Sequence, residues 1–362
     1  MRVHFMRGQA AVVAIIAAGA LLAACGDGDD QAAQSDLAAK TGADLVTAAE
    51  EEGKVVWYTS IPTETAEAVA AAFEKKYPKI DAEVVRAVTF DLYQRLLTEN
   101  NAGQHLADVF NPSDFGVISD ARDKGMLAKY VPESIKGAVD ERFIDPDGYW
   151  WSARISTVGI VYNTEAVPPE RAPSTWDDLT DPYWAGGKLG FTDPREVAIG
   201  YAAFWEMAQE PAIGEEFFAK LGQNAKPRQY SEAGQQLNAL TTGELSCAVM
   251  VDYRGWELIG EGAPVKIVYP EEGVGYGTDF DAVLAEAPHP YAARLFDEFL
   301  GTEEGSNEIA RYGGYMSRPE AELYPPGVPR PTLNELNLLT ADFPQMAKES
   351  EDFGEKWAGW TE

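Results

Sequence analysis

The sequence predicts an α/β protein of about two domains. The chain has 362 residues, and domains are commonly about 150 residues long. Short apolar runs alternate with stretches of helical periodicity, an order typical of α/β folds. Hydrophobic residues make up 45% of the chain, which is enough for packed cores and excludes a wholly disordered acidic chain.

The first domain is predicted from an alternation of strands and helices that begins near residue 54. Three apolar runs are predicted strands, and helical patterns separate them, so the order predicts a mostly parallel sheet. The predicted strands cover 54–58, 82–87 and 107–110, and the predicted helices cover 63–77 and 89–101.

A second unit is predicted to start near Trp151. After Thr278 the pattern changes again, with a strand at 280–285 and a helix at 290–300. Gly273, Gly275 and Gly277 are predicted to form a hinge or turn, since no helix pattern follows them. The strands predicted for the second unit are 157–163, 188–191, 247–251 and 265–269, and its helices are 196–209, 214–221 and 231–241.

The first 24 residues read as a signal peptide, with a basic start, an apolar run over 10–22 and small residues at its end. Leu22-Ala23-Ala24-Cys25 resembles a bacterial lipobox, which implies cleavage before Cys25 and acylation of its thiol. An ordinary secretory signal with an incidental cysteine is the alternative. Cleavage of 24 residues leaves 338 and, with two arginines lost, changes the net charge from −30 to −32. We expect residues 25–48 to form a flexible tether.

Composition and motifs exclude several classes of protein. With 59 acidic against 29 basic side chains, the chain repels phosphate backbones, so we expect no nucleic-acid partner. Two cysteines and three histidines exclude a disulfide scaffold and a multi-histidine metal site. Cys247 lies in an apolar run and is predicted to be buried and inert. Nucleophile-elbow, phosphate-loop and zinc-protease motifs do not occur, so we expect no catalytic residues; a carboxylate-driven hydrolase stays as an alternative.

Polar loops follow several predicted parallel strands. In open α/β sheets, ligands bind outside the carboxyl ends of the strands, and the helix N-termini that follow favour anions. Strand ends are also polar simply because they are exposed. Together the loops predict a cleft for a small polar solute. They are Thr59-Ser60, Ser113-Asp114, Thr192-Asp193-Pro194-Arg195 and Asp252-Tyr253-Arg254.

The sequence resembles the type II periplasmic solute-binding proteins of ATP-binding cassette importers, in particular the ferric-ion, phosphonate, thiamine and polyamine binders. The likeness extends over about 50–320, and the order and spacing of the segments carry it. The segments are 55–60, 107–110, 159–164, 173–179, 243–244, 252–253, 262–265 and 269–273.

The resemblance implies a two-lobed type II fold with a hinged interlobe cleft. Lobe 1 would hold 49–150 plus 276–362, and lobe 2 would hold 151–275. The protein would be an exported, lipid-anchored monomer that hands a solute to a membrane permease and its ATPase, with no cofactor. A binding module that signals to a receptor is the alternative.

The ligand is predicted by comparison with the ferric-ion binders. The resemblance implies that these proteins bind iron through two adjacent tyrosines. Here those positions are Tyr253 and Arg254, and a cation repels a metal ion. Arginine forks suit phosphate, phosphonate or carboxylate, which favours a phosphonate, a phosphate ester, or ferric ion with an anion. Ferric-ion binding through Tyr253, and pairing of the arginines with surface acids, stay as alternatives. The candidate ligand-binding residues are Thr59, Ser60, Ser113, Asp114, Arg154, Thr192, Arg195, Ser231, Tyr253 and Arg254.

Overall fold

The computed structural model describes residues 40–361. The predicted signal peptide, Cys25 and most of the predicted tether lie outside the described residues. The prediction of a flexible tether is wrong for residues 42–48, because helix α1 spans Gly42–Glu52. This helix buries Leu45, Ala48 and Ala49. These apolar side chains recur at helical spacing, so α1 docks on the body through one face.

Helix α1 packs against helix α9, Pro290–Leu300. The carboxylate of Glu52 accepts hydrogen bonds from the backbone N–H groups of Tyr291 and Ala292, at 3.2 and 2.7 Å. An acidic side chain at a helix N-terminus satisfies N–H groups that have no partner within the helix. Helix α1 is therefore part of the folded body.

The first sheet has four strands in the order β10-β3-β1-β2. Strand β1 pairs in parallel with β2 and β3, while β10 returns antiparallel from later in the chain. This confirms the predicted, mostly parallel sheet. Its strands are β1 Lys54–Thr59, β2 Asp81–Arg86, β3 Val109–Asn111 and β10 Ala282–Val283, and the helices between them are α2 Thr63–Lys76, α3 Thr89–Asn101 and α4 Phe115–Asp123.

The second sheet is built on β4, Arg154–Asn163, which is buried along its whole length. Strand β4 pairs antiparallel with β7, β8, β9 and β11, and β5 lies in parallel between β6 and β7. These strands are β5 Leu189–Thr192, β6 Arg228–Tyr230, β7 Cys247–Val251, β8 Val265–Val268, β9 Tyr276–Thr278 and β11 Tyr315–Met316. The helices on this sheet are α5 Ala198–Gln209, α6 Gly214–Asn224, α7 Ala233–Thr241 and α8 Asp252–Gly260.

The remaining helices lie in the C-terminal third of the chain. They are α9, α10 Glu303–Ala310, α11 Phe343–Lys348 and α12 Ser350–Thr361. Within the Pro-rich stretch 322–336, the one helical element is a short 3-10 turn at Leu333–Glu335. Among residues 40–361, no helix is long and apolar enough to cross a membrane.

Two glycines of the predicted hinge segment permit a close approach between β9 and α5. A Cβ at Gly275 would lie 2.4 Å from the carbonyl oxygen of Ala203, and one at Gly277 would lie 3.0 Å from Cα of Ile199. Real Cβ atoms essentially never come as close as 2.4 Å to another atom, and a contact at 3.0 Å is unusually tight. These glycines therefore let the strand that leads back to the first sheet lie directly against helix α5.

The C-terminal helix contradicts the predicted lobe boundaries. Phe353 and Trp357 are buried in the core of the second sheet, together with Phe191 and Phe204. The assignment of 276–362 to lobe 1 is therefore wrong at its end. The aromatic side chains of α12 recur on one helix face, and the matching aromatic surface lies on α5 and α6. Below, "first lobe" means the first sheet with its helices, and "second lobe" means the second sheet with α5–α8 and α12.

Cys247 is fully buried, as predicted. Burial raises the pKa of its thiol above the ordinary range, which keeps the thiol protonated and unreactive.

A buried glutamate on α5 makes stability depend on pH. The side chain of Glu206 is 1% exposed, and its Oε2 accepts the backbone N–H of Tyr276 at 2.9 Å. Burial raises the pKa of Glu206 well above its usual value. This group therefore favours folding most below about pH 4.5, its ordinary pKa, and the contribution declines as the pH rises toward the folded-state pKa.

We expect Glu206→Gln to raise the melting temperature by a few degrees at pH 8 and to change it little at pH 4. Glutamine stays neutral at every pH and keeps the carbonyl acceptor. Thermal unfolding at both pH values checks this, with Glu216→Gln as an exposed control. An equal shift at both pH values would contradict the buried-acid interpretation.

Candidate functional site

Three loops of the first lobe meet at the carboxyl ends of β1 and β3. Thr59 Oγ1 donates to Asn111 Oδ1 at 2.8 Å, and Ser60 Oγ donates to the Asn111 carbonyl at 3.2 Å. The amide of Asn111 donates in turn to Asp281 at 2.9 Å. Burial raises the pKa of Asp281 to about 8. Thr59 is 0% exposed, so its side chain stabilises the loop from the protein interior. Ser60 is only half-buried.

Ser113 and Asp114 form the start of helix α4. Ser113 Oγ lies 3.0 Å from Thr89 Oγ1, which ties the loop after β3 to the start of α3. Asp114 is the N-cap of α4, and its Oδ1 accepts the backbone N–H of Val117 at 2.9 Å. Burial raises the pKa of Asp114 above its usual value, and the backbone hydrogen bonds partly offset this. Both residues line the cleft described below.

We expect Asp114→Ala to lower the free energy of unfolding by about 1 kcal/mol, because alanine cannot cap the helix. Asp114→Asn keeps an acceptor for Val117 and is expected to stay within a few tenths of a kcal/mol of the parent protein. Chemical denaturation of the two variants checks the prediction. Equal losses in both would show that the carboxylate charge, and not the cap, is what stabilises this loop.

The second-lobe candidates after β5 are held by neighbours. Thr192 is buried, and its Oγ1 donates to Gln236 Oε1 at 3.1 Å. Arg195 forms a two-pronged ion pair with Asp193, with Nη2–Oδ2 at 2.8 Å and Nε–Oδ1 at 3.0 Å. Burial raises the pKa of Asp193, but the hydrogen bonds from Arg195 outweigh it and the net shift is downward. This pairing supports the alternative in which Arg195 is partnered by an acid.

A cavity of about 590 Å³ separates the two lobes at these loops. Asp114 reaches it from the first lobe, and Arg195 reaches it from the second. A smaller space of about 60 Å³ adjoins it and extends past Ser113 to Thr278. Ser231 is exposed after the end of β6 and is not among the described residues that line either space. The structure thus brings Ser113, Asp114 and Arg195 to one cleft. The other candidates are not among the described residues that line either space: Thr59, Ser60, Arg154, Thr192, Tyr253 and Arg254.

A second group of candidates lies around Arg154, the first residue of β4. Arg154 is 2% exposed, and its Nη1 donates to Asp279 Oδ2 at 2.9 Å while its Nε donates to the Gly313 carbonyl at 2.8 Å. Its guanidinium carbon lies 5.0 Å from the ring centre of Tyr253 and 4.1 Å from that of Tyr312. Burial opposes the charge, yet Asp279 and the tyrosines raise the pKa of Arg154. The main role of Arg154 in this structure is therefore that of a buried cation that stabilises the fold.

Arg254 lies beside this cluster at the start of α8. Its Nη1 donates to Glu257 Oε2 at 2.9 Å, and its side chain is 32% exposed. Its guanidinium carbon lies 5.0 Å from the ring centre of Tyr253. Within the described chain, Nε of Arg254 and Nη2 of Arg154 are buried and have no hydrogen-bond partner. Two guanidinium groups, each with one buried nitrogen that has no hydrogen-bond partner, therefore flank one tyrosine ring.

Sequence reasoning missed Asp279 and Tyr312, which complete this cluster. The hydroxyl groups of Tyr253 and Tyr312 lie 3.5 Å apart. Asp279 directly follows β9. Its position after a strand could therefore have marked it as a candidate site residue. Tyr312 lies between α10 and β11, and no pattern in the sequence places it beside Tyr253.

Metal binding finds little support in the His, Cys, Asp and Glu side chains of the described residues. Between residues 40 and 361, no group of three or more His, Cys, Asp or Glu side chains could hold a metal ion. Tyr253, the one predicted metal ligand, is flanked by two guanidinium groups, which repel a cation. Charged donors and aromatic rings instead suit an anion with several acceptor oxygens.

Comparison with known proteins identifies the family. Residues 104–344 match the model of the bacterial extracellular solute-binding proteins. The chain belongs to this family. An uncharacterised protein of Haemophilus influenzae is 26% identical over 323 residues, covering 84% of this chain and 90% of the relative. Iron uptake protein A1 of Synechocystis is 26% identical over 248 residues, covering 64% and 67% of the two chains.

Solved structures of solute-binding proteins share the fold. Iron-bound HitA from Pseudomonas aeruginosa superposes with a TM-score of 0.69 at 22% identity, covering 84% of this chain and 99% of HitA. AfuA from Actinobacillus pleuropneumoniae, with fructose 6-phosphate bound, gives 0.69 at 24% identity, covering 85% and 98%. These likenesses confirm the two-lobed type II periplasmic-binding-protein fold.

Proposed function

We propose that this protein is the solute-binding component of an ATP-binding cassette importer and captures a small anionic solute between its lobes. Family membership supports the binding role, and the family is one of binding proteins and not of enzymes. The solute would pass to a membrane permease driven by an ATPase. A signal peptide with acylation at Cys25 would anchor the protein, as a monomer, at the cell envelope, with its body in the periplasm or at the outer face of the membrane.

The observation that carries the choice of an anion is the pair of arginines around Tyr253. Both guanidinium carbons lie 5.0 Å from the ring centre, and each group has one buried nitrogen without a hydrogen-bond partner in the described structure. An unpaired buried N–H is costly, so a ligand oxygen at each donor would be favourable. Phosphate esters and phosphonates present several such oxygens.

Ferric ion is the second candidate, and one contact favours it. The hydroxyl groups of Tyr253 and Tyr312 lie 3.5 Å apart, and phenolate oxygens are hard ligands suited to Fe(III). Relatives named for iron include Iron uptake protein A1 and iron-bound HitA. Burial, however, raises the pKa of Tyr312, which opposes the phenolate form that a metal needs. The anion is therefore the better supported ligand.

A thermal-shift screen with the purified protein tests the proposal. The probes are fructose 6-phosphate, methylphosphonate, ferric citrate and spermidine, with sodium sulfate and sodium chloride as ionic-strength controls. A ligand that binds only the folded state raises the melting temperature, by an amount that grows with its concentration relative to Kd. We expect saturable stabilisation by a phosphate ester or phosphonate. Stabilisation by spermidine alone, or by iron alone with a visible tyrosinate absorption band, would contradict the anion assignment.

Transport is tested separately from binding. Reconstituted with its permease and ATPase, the liganded protein is expected to stimulate ATP hydrolysis. Binding without stimulation would favour the alternative of a sensing module.

A further inference from the structure

The segment from Leu339 to Thr361, here called the strap, contains α11 and α12 and contacts both lobes. The family match ends at residue 344, so most of the strap lies beyond the matched residues. Four strap residues, Ser350, Glu351, Phe353 and Gly354, line the 590 Å³ cavity between the lobes. The strap therefore forms one wall of the cleft.

The strap is anchored on the second lobe by extensive contacts. Trp357 stacks on Phe204 with ring centres 5.2 Å apart, and its Nε1 donates to Gln229 Oε1 at 2.7 Å. Trp205 Nε1 donates to Glu349 Oε2 at 2.8 Å. The hydroxyl of Tyr201 also donates to the carbonyl of Met346. These contacts hold this end of the strap on the second lobe.

Phe343 makes the aromatic contacts of the strap with the first lobe, and Ala347 also packs against the core of that lobe. Phe343 stacks on Phe115 with ring centres 5.1 Å apart and planes inclined by 19°. It also meets the edges of Phe280 at 5.8 Å and Trp150 at 6.3 Å. Phe115 begins α4, the helix whose first turn borders the cleft. Any rotation that widens the cleft on this side separates Phe343 from these rings.

We propose that the strap is an interlobe latch: it is fixed to the second lobe by α12, docks on the first lobe through Phe343, and limits how far the cleft opens. Aromatic contacts of this kind add attraction beyond their buried area, so their loss shifts a two-state equilibrium between closed and open lobes. The latch depends on the two-lobed fold and on no particular solute.

Distance measurement between the lobes, in the absence of solute, tests the latch. Spin labels are attached at Asp91→Cys and Glu232→Cys, exposed positions after β2 and β6, in a full-length Cys25→Ser background; Cys247 is buried and does not label. We expect Phe343→Ala to lengthen the mean separation by several ångströms and to broaden its distribution. Tyr77→Ala is the matched control, since this half-buried ring packs against Phe73 within the first lobe, with ring centres 5.0 Å apart.

An unchanged distance distribution in Phe343→Ala would overturn the latch. Circular dichroism checks that each variant is folded, and if Phe343→Ala is unfolded, Phe343→Leu decides, with a smaller shift expected. Because the readout uses no solute, it is independent of the thermal-shift screen, so failure of the latch and failure of the anion assignment are distinguishable.

Discussion

Arg154→Ala is expected to lower the free energy of unfolding by about 3–5 kcal/mol, because it leaves one member of a buried ion pair without its partner. Asp279 is then a buried carboxylate whose side chain is 5% exposed. The substitution also removes the hydrogen bond to the Gly313 carbonyl and the cation that lies against Tyr253 and Tyr312. Urea denaturation followed by tryptophan fluorescence measures the loss.

Arg228→Ala is the matched control for this measurement. Arg228 pairs with Glu244 on the surface, where the two side chains are 43% and 57% exposed. Solvent screens such a pair, so its loss is expected to cost less than about 1 kcal/mol. If Arg154→Ala costs no more than Arg228→Ala, the pair with Asp279 is not a buried structural element.

Trp357→Ala is expected to lower the free energy of unfolding by about 3–5 kcal/mol, because it leaves a large cavity in a packed core. Trp357 is 0% exposed and stacks almost parallel on Phe204, with an interplanar angle of 6°. Calorimetric unfolding measures the loss. Trp360→Ala, at a half-buried ring on the same helix, is expected to cost clearly less. Equal small losses would show that α12 does not belong to the second-lobe core.

Much of the fold follows from the sequence, because buried strands and amphipathic helices carry their own periodicity. The helix predicted over 89–101 coincides with α3. The errors concern which elements pack against each other. The aromatic spacing in α12 predicts a buried face but does not say which lobe covers it, since that depends on α5 and α6, distant in the chain. Helix α1 was not predicted, because most of its short, alanine-rich sequence was assigned to the tether, and its buried face depends on α9, which is distant in the chain.

The candidate site was predicted only in part, because the sequence shows local patterns but not contacts between distant residues. Strand ends identify polar loops, and the structure brings Ser113, Asp114 and Arg195 to one cleft. The ion pair of Arg195 with Asp193 is local, two residues apart, and could have been read from the sequence. The pairing of Arg154 with Asp279 joins residues that are 125 positions apart, and only the folded chain reveals it.

The central proposal is that an arginine, and not a tyrosine, selects the solute. Calorimetric titration of the parent protein, Arg254→Ala and Tyr253→Phe with fructose 6-phosphate, methylphosphonate and ferric citrate tests it most directly. We predict that a phosphate ester or phosphonate binds the parent protein, that Arg254→Ala weakens this binding at least tenfold because a charge-assisted hydrogen bond is lost, and that Tyr253→Phe retains it within a few-fold. Saturable Fe(III) binding that survives Arg254→Ala and is lost in Tyr253→Phe would contradict the proposal.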